Sequence, residues 1–250
     1  MSSKKKPARG NSRETRQNRA VARSHQLDEQ TLIPLVEKAS NEPLSAKTIT
    51  QRKLINSLRH QQLTFAVGPA GTGKTYICGS VAADMLLDGH VDKIIITRPA
   101  VEAEEQLGFL PGEKEDKYAP YIAPFLDVLN ERLGKTRVEY LIKHGRIEAS
   151  PFAYMRGKTF KNAIVILDEA QNATPGQMKL FLTRIGENCR VVINGDESQV
   201  DIRGKSGLTD AIEKISYIPS VSVIRFQRQD CVRSGLAGEI LQAYEQAGTV

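Results

Sequence analysis

The sequence predicts an α/β fold: a three-layer αβα arrangement with a mainly parallel central sheet. Three observations predict it. Five short aliphatic runs, LTFAV (63–67), KIIIT (93–97), AIVIL (163–167), RVVI (190–193) and SVSVIRF (220–226), read as strands. Helical patterns separate them, and apolar strands with intervening helices imply a parallel sheet covered on both sides. A glycine-rich segment, GPAGTGKT (68–75), joins the first strand to the helix that follows.

The elements follow in order. Residues 1–26 read as a basic, disordered tail and 27–47 as a linker, in which LDEQTLIPLVEK (27–38) has some apolar periodicity broken by Pro34. The folded domain is expected over 48–250. A helix is expected at 49–60, with Ile49, Leu54, Ile55 and Leu58 near one face, and a second at 74–87. Residues 99–160 form a long, mixed insertion, helical in parts of 113–133 and again at 138–143. Thr174-Pro175-Gly176-Gln177 marks a helix start, with a hydroxyl at the N-cap, Pro at N1 and Gln at N3.

Composition narrows the class. Apolar residues make up 40% and charged residues 26% of 250 residues, which suits a globular body. The apolar runs are far too short to span a bilayer. With no apolar segment after Lys4, Lys5 and Lys6, the expected location is the cytoplasm. Cys78, Cys189 and Cys231 have neither metal spacing nor a disulfide pattern. The net charge of +6 sits in the tail: Lys4, Lys5, Lys6, Arg9, Arg13, Arg16, Arg19 and Arg23 face Glu14 alone over residues 1–23. Such a tail suits polyanion binding by counterion release, or a solubilising arm.

GPAGTGKT fits G-x-x-x-x-G-K-[ST], the phosphate-binding P-loop. Gly68, Gly71 and Gly73 permit a tight turn that aims backbone N–H groups at phosphate oxygens, helped by the following helix N-terminus. Pro69, Ala70 and Thr72 complete the loop, and Tyr76 follows it in the expected nucleotide-binding set. Lys74 is placed to reach the β/γ-phosphates and Thr75 to ligate Mg²⁺. In AIVILDEAQ (163–171), a strand delivers Asp168 to hold Mg²⁺ and Glu169 to orient or deprotonate the attacking water. Small-molecule kinases have no need of a base aimed at water, so ATP hydrolysis is favoured over phosphotransfer. NGDESQVD (194–201) follows RVVI, a strand expected beside the P-loop strand, and brings Asp196 and Gln199 towards the γ-phosphate. An amide there contacts ATP and ADP differently, which is what shifts a conformational equilibrium.

GPAGTGKT, DEAQ and GDESQ together resemble motifs I, II and III of superfamily 1 helicase-type ATPases. More closely, TRPAVEAEEQLGFLPGE (97–113), RGKTFKNAIVILDEAQNATPGQMKLFLTRIG (156–186) and GDESQVDIRGKSGL (195–208) resemble the PhoH-like ATPases over about 48–246. The resemblance implies a RecA-like core, ATP hydrolysis and a link to RNA. It extends to Gln51, similar to an upstream glutamine that recognises adenine, and to Arg233, similar to an arginine placed to stabilise charge on the γ-phosphate. A polar position on an exposed helix face and a helix-start arginine are the plainer readings of these two. The sequence departs from the family pattern at Arg203, where a Pro is usual, and at Ser234 and Gly235, where His and Pro are usual.

One nucleotide-binding core fits in this length. Helicases of this type clamp ATP between two, so a neighbouring copy is expected to complete the cleft, with Arg233 (or Arg184) supplied in trans. The resemblance suggests a hexameric ring. RNA or single-stranded DNA is the expected partner, with Arg98, Arg156 and Lys158 as candidate contacts. Phe152, Tyr154 and Phe160 offer stacking faces near the last two, or belong to the core. A nucleotide-gated RNA-binding or assembly switch without unwinding is the alternative to a motor.

Overall fold

The computed structural model describes residues 42–99, 114–150, 152–155 and 157–232. The expected tail, most of the expected linker, Arg156 and Arg233 lie outside the described residues. Among the described residues six α-helices and six strands succeed one another. They are α1 (Ile49–His60), β1 (Leu63–Val67), α2 (Lys74–Leu87), β2 (Lys93–Thr97), α3 (Lys114–Leu133), α4 (Lys135–Lys143), β3 (Ile147–Ala149), β4 (Ala163–Leu167), α5 (Pro175–Leu182), β5 (Arg190–Gly195), α6 (Gly207–Ile215) and β6 (Val221–Arg225). The strands form one sheet in the order β3-β2-β4-β5-β1-β6. Every pairing is parallel.

Alternation along the strands divides the interior into two cores, because successive side chains point to opposite faces. Ala66, Ile94, Ile96, Ile164, Ile166 and Val192 face one core, where α1–α4 add Leu54, Leu58, Val81, Phe125, Leu129 and Val138. Phe65, Val67, Val165, Leu167, Val191 and Ile193 face the other, with Phe181 of α5 and Leu208 of α6. β1 and β4 are buried along their whole length. That is why their sequences are apolar apart from Thr64, whose buried hydroxyl pairs with that of Ser57 at 2.8 Å.

Local signals explain several boundaries. Thr48 caps α1 by accepting from the Gln51 N–H. The expected capping box at Thr174 forms in full, with the Thr174 hydroxyl on the Gln177 N–H and the Gln177 amide on the Thr174 N–H. Gly134, with a positive φ of 83° and ψ of 140°, separates α3 from α4. Consequently α4 begins at Lys135, three residues before the expected start, and α3 runs unbroken rather than in parts. β3 is a strand the sequence did not announce: three residues, IEA, at the sheet edge beside β2. Ile49 is 73% exposed and does not join the buried face of α1. It is the first residue of the helix, before the apolar stripe reaches the sheet.

Of the two readings open for Phe152 and Phe160, a stacking face for a single strand or the core, the structure bears out the core; the Tyr154 side chain lies outside what is described. Phe152 and Phe160 are buried and pack on Phe181, with ring centroids at 5.6 and 5.8 Å. They close the second core, so neither presents a stacking face. Lys158 is exposed. Among the described residues no helix is long and apolar enough to cross a membrane.

Phe181 joins α5 to the segment before β4 through both ring contacts. Phe181→Ala is expected to destabilise the protein by about 3–5 kcal/mol, the usual loss for a fully buried aromatic. Chemical denaturation monitored by circular dichroism measures it.

Candidate functional site

Parallel strands bring all their C-terminal ends to one edge of the sheet, where open α/β sheets bind ligands. A cleft of about 380 Å³ lies there. The loop after β1 and the start of α2 line it with Ala70, Gly71, Gly73, Lys74, Thr75 and Tyr76. Asp168 and Glu169 after β4, and Gly195, Asp196 and Gln199 at and after the end of β5, line the opposite side. Pro124 and Val128 of α3 complete the wall, a contribution from the insertion that the motifs did not indicate. Gln51, Gly68, Pro69 and Thr72 are not on this lining; they stand behind it as supports.

The loop is shaped by its carbonyls. Gly68, Gly71 and Gly73 have φ of 138°, 79° and 85°, values that L side chains rarely adopt. The Gly71 carbonyl accepts from the Val232 N–H at 3.0 Å, and the Thr72 carbonyl from Gln51 Nε2 at 3.0 Å. Both donors lie outside the loop. A planar peptide that points its C=O outwards points its N–H the opposite way, so the Thr72 and Gly73 N–H groups turn from those supports. Gln51 is only 4% exposed, and its Oε1 accepts from the Lys47 N–H at 2.7 Å. It is therefore a buried brace of the loop, not a polar residue on an exposed helix face.

Charge gathers across the cleft. Lys74 Nζ donates to the carbonyls of Gly68 and Pro69 at 2.6 and 2.8 Å. Burial lowers its pKa, and the opposing pull comes from Asp196, Asp168 and Glu169. Burial likewise pushes Asp168 up to about 6, with Glu169 adding to the rise and Arg98 and Asn194 opposing it. The buried Asn194 Nδ2 makes no full hydrogen bond and lies close enough to favour the ionised Asp168. Glu169 has a left-handed backbone, φ 50°, uncommon for this residue type and a mark of a constrained site. Arg98 Nη2 stands 3.6 Å from Glu169 Oε1. The side chain the sequence offered to a nucleic-acid strand thus engages the carboxylate pair.

After β5 the chain folds around Asp196. Its Oδ1 accepts from the Ser198 N–H and hydroxyl at 3.0 and 2.6 Å, and its Oδ2 from Gln199 Nε2 at 3.0 Å. The backbone N–H of Asp196 donates to Gln171 Oε1 at 3.0 Å. Gly195 has no room for a side chain: a Cβ would stand 2.5 Å from Leu208 Cδ2 and 3.0 Å from Gln171 Oε1. Gln171 was legible only as the last letter of DEAQ.

Among the described residues no group of three or more His, Cys, Asp or Glu is poised to hold a metal. Of the oxygens lining the cleft, the Thr75 hydroxyl and the Asp168 carboxylate are the expected ligands, since Glu169 is engaged by Arg98 and Gln171 and Asp196 by Ser198 and Gln199. That sparse set fits Mg²⁺, which takes one or two protein ligands and completes its shell with water and substrate phosphate. Burial raises Cys78 to about 12 and Cys189 to about 11, as inert thiols require. Arg184 donates from Nε to the Leu180 carbonyl at 3.4 Å.

The chain is similar to known proteins in sequence. The model of the PhoH-like protein family matches residues 43–245. Protein PhoH of Escherichia coli (strain K12) is 46% identical over 243 residues, covering 90% of this chain and 69% of that protein. The PhoH-like protein of Bacillus subtilis (strain 168) is 46% identical over 214 residues, covering 85% and 67%. Among solved structures, the UvsW helicase from bacteriophage T4 superposes with a TM-score of 0.46 at 12% identity, over 81% of this chain and 67% of that one.

Asp168 gives a stability signature of the nucleotide-free protein. Its folded pKa, about 6, lies above the ordinary 3.8, so the folded state holds the extra proton between these values. Stability from this group is complete below the ordinary value and is lost as pH rises through about 6. Asp168→Asn removes that slope and is expected to stabilise the protein at pH 7–8 by about 1–3 kcal/mol. Thermal melts across pH 4–8 check it.

Proposed function

This chain belongs to the PhoH-like protein family and is a P-loop NTPase, and we propose that it hydrolyses ATP with Mg²⁺ as a motor associated with RNA or single-stranded DNA. The observation that carries hydrolysis is the position of β5 between β1 and β4. Two strand spacings, about 9–10 Å, separate the strand ending in the P-loop from the strand ending in Asp168 and Glu169. That gap accommodates a γ-phosphate together with an attacking water.

Each residue has a role in this reading. The loop N–H groups, Tyr76 and the start of α2 cradle the phosphates. Lys74 exchanges a carbonyl of its own loop for a phosphate oxygen. Thr75 and Asp168 would hold Mg²⁺, which would offset negative charge on the phosphates. Glu169 orients or deprotonates the water, and Asp196 with Gln199 faces the γ-phosphate. Gln51 steadies the loop, and reading an adenine falls to the N–H and lone pair that Thr72 and Lys47 leave over. Glu169→Gln is expected to lower kcat by about 10²–10⁴-fold while ATP still binds. Phosphate release beside equilibrium binding of a fluorescent ATP analogue tests it.

We infer that a neighbour completes the other side of the cleft. In this reading the neighbour is a second copy in a hexameric ring, with Arg233 (or Arg184) reaching across. Glu169→Gln and Arg233→Ala subunits, each inactive alone, are then expected to restore activity in part when mixed. Absence of rescue in intact assemblies rejects the trans arginine. Arg98 and Lys158 remain the candidate contacts to a strand, together with Arg156. ATPase activity is expected to rise with RNA or single-stranded DNA and to lose that stimulation steeply as salt increases. A switch without unwinding would share the same site; a strand-displacement assay run beside the ATPase assay separates the two.

A further inference from the structure

We propose that Gln171 is a positioning residue that sets the Glu169 carboxylate and couples it to the loop running from Asp196 to Ser206. The inference rests on the reading of Glu169 as the group that acts on water. Gln171 is 1% exposed and stands between two parts of the site. Its Nε2 donates to Glu169 Oε2 at 2.6 Å, and its Oε1 accepts from the Asp196 N–H at 3.0 Å. An amide supplies both a donor and an acceptor at the tip of one side chain. Glutamate lacks the donor, and lysine or arginine lacks the acceptor.

The backbone beside it holds the rest of the loop. The Gln171 carbonyl accepts from the Ser206 hydroxyl at 2.8 Å, at the loop's far end. Asn172 pairs with Asp201 in the middle, donating from Nδ2 at 3.1 Å and accepting the Asp201 N–H at 2.9 Å. The Ala173 carbonyl accepts from the Gly207 N–H at 2.7 Å, where α6 begins. Residues 171–173 are thus a rail beneath the whole loop; the Asn172 N–H also donates to the Glu169 carbonyl at 3.0 Å, and the Gln171 side chain holds the Glu169 carboxylate. From Asp196 the bonding continues to Gln199 through the Asp196 carboxylate.

This arrangement makes Glu169 and the loop interdependent. The left-handed backbone of Glu169 does not by itself fix the carboxylate, so its partners do: Arg98 on one oxygen, Gln171 on the other. A buried amide that loses an acceptor is penalised unless it finds another. Movement of Glu169 towards a water therefore draws Gln171, and movement of Gln171 is felt at the Asp196 N–H. The path runs in both directions, as coupling between sites must.

The test uses the full chain with Gln171→Met, which keeps the length and removes both hydrogen bonds, and the swap Glu169→Gln/Gln171→Glu. In the swap, the carboxylate at 171 accepts from the amide at 169 and from the Asp196 N–H, so the bridge re-forms without a base. Gln171→Met is expected to lower kcat about 10–100-fold, the range seen when a supporting partner is lost. Its affinity for a fluorescent ATP analogue should stay within about threefold, a split that general unfolding does not produce. Hydrogen exchange supplies the second readout. ATP should change exchange over 196–206 in wild type and not in Gln171→Met, whereas the swap should regain wild-type protection of 196–206 without ATP and remain unable to hydrolyse it. Wild-type kcat and wild-type exchange in Gln171→Met overturn the proposal. If Gln171→Met does not fold, the swap decides: regained protection supports the bridge and unprotected 196–206 overturns it. A wild-type chain that binds ATP but releases no phosphate overturns the hydrolysis reading instead, and the exchange arms then decide the coupling alone.

Discussion

Everything in the site depends on the direction of the strands. Because all six run parallel, the loop after β1, Arg98 after β2, Asp168 and Glu169 after β4, and Asp196 after β5 reach the same edge. Residues more than 120 positions apart in sequence line one cleft without any long-range adjustment of the chain. Parallel pairing in turn requires helices on both faces, and the alternation of Val, Ile and Phe into two cores provides the apolar surface that seats them. The fold is thus a means of holding strand ends in register.

The register carries a cost in electrostatics. Lys74, Asp168, Glu169 and Asp196 are drawn together at a half-buried edge, where the ionised forms are poorly solvated. Burial moves Lys74 down and Asp168 up, each towards its neutral form, while the mutual attraction of opposite charges resists the change for Lys74. Arg98 offsets part of the carboxylate excess from the next strand.

What the sequence disclosed and what it hid follow from range. Strands buried on both faces announce themselves, and five of the six were legible; β3, with three residues at an edge, is too short to carry a pattern. The capping box at Thr174 was legible because all its atoms lie within four residues. Lys74, Thr75, Asp168, Glu169, Asp196 and Gln199 were legible as candidates because spacing and strand context sufficed, and the cleft gathers all six. Arg98 against Glu169, and Pro124 and Val128 in the wall, were not, since each is a contact between elements that only the sheet order makes neighbours. Phe152 and Phe160 were ambiguous in sequence: an aromatic beside lysines reads alike whether it faces a base or Phe181.

The P-loop too depends on contacts between elements far apart in sequence. Its residues form a local motif, yet its shape is imposed from three distant places. Gln51 of α1 holds the Thr72 carbonyl, Val232 beyond β6 holds the Gly71 carbonyl, and the Gly195 carbonyl of β5 accepts the Gly68 N–H at 3.1 Å. Phe226 presses its backbone against Gly68, where any Cβ would collide. Gly195 is also the residue that Gln171 and Leu208 crowd, and Asp196 follows it directly. The phosphate loop and the Gln171 bridge therefore meet at one peptide at the end of β5. A displacement there reaches the P-loop through the Gly195 carbonyl and Glu169 through the Asp196 N–H, so neither half of the site can shift its backbone at that strand end without loading the other.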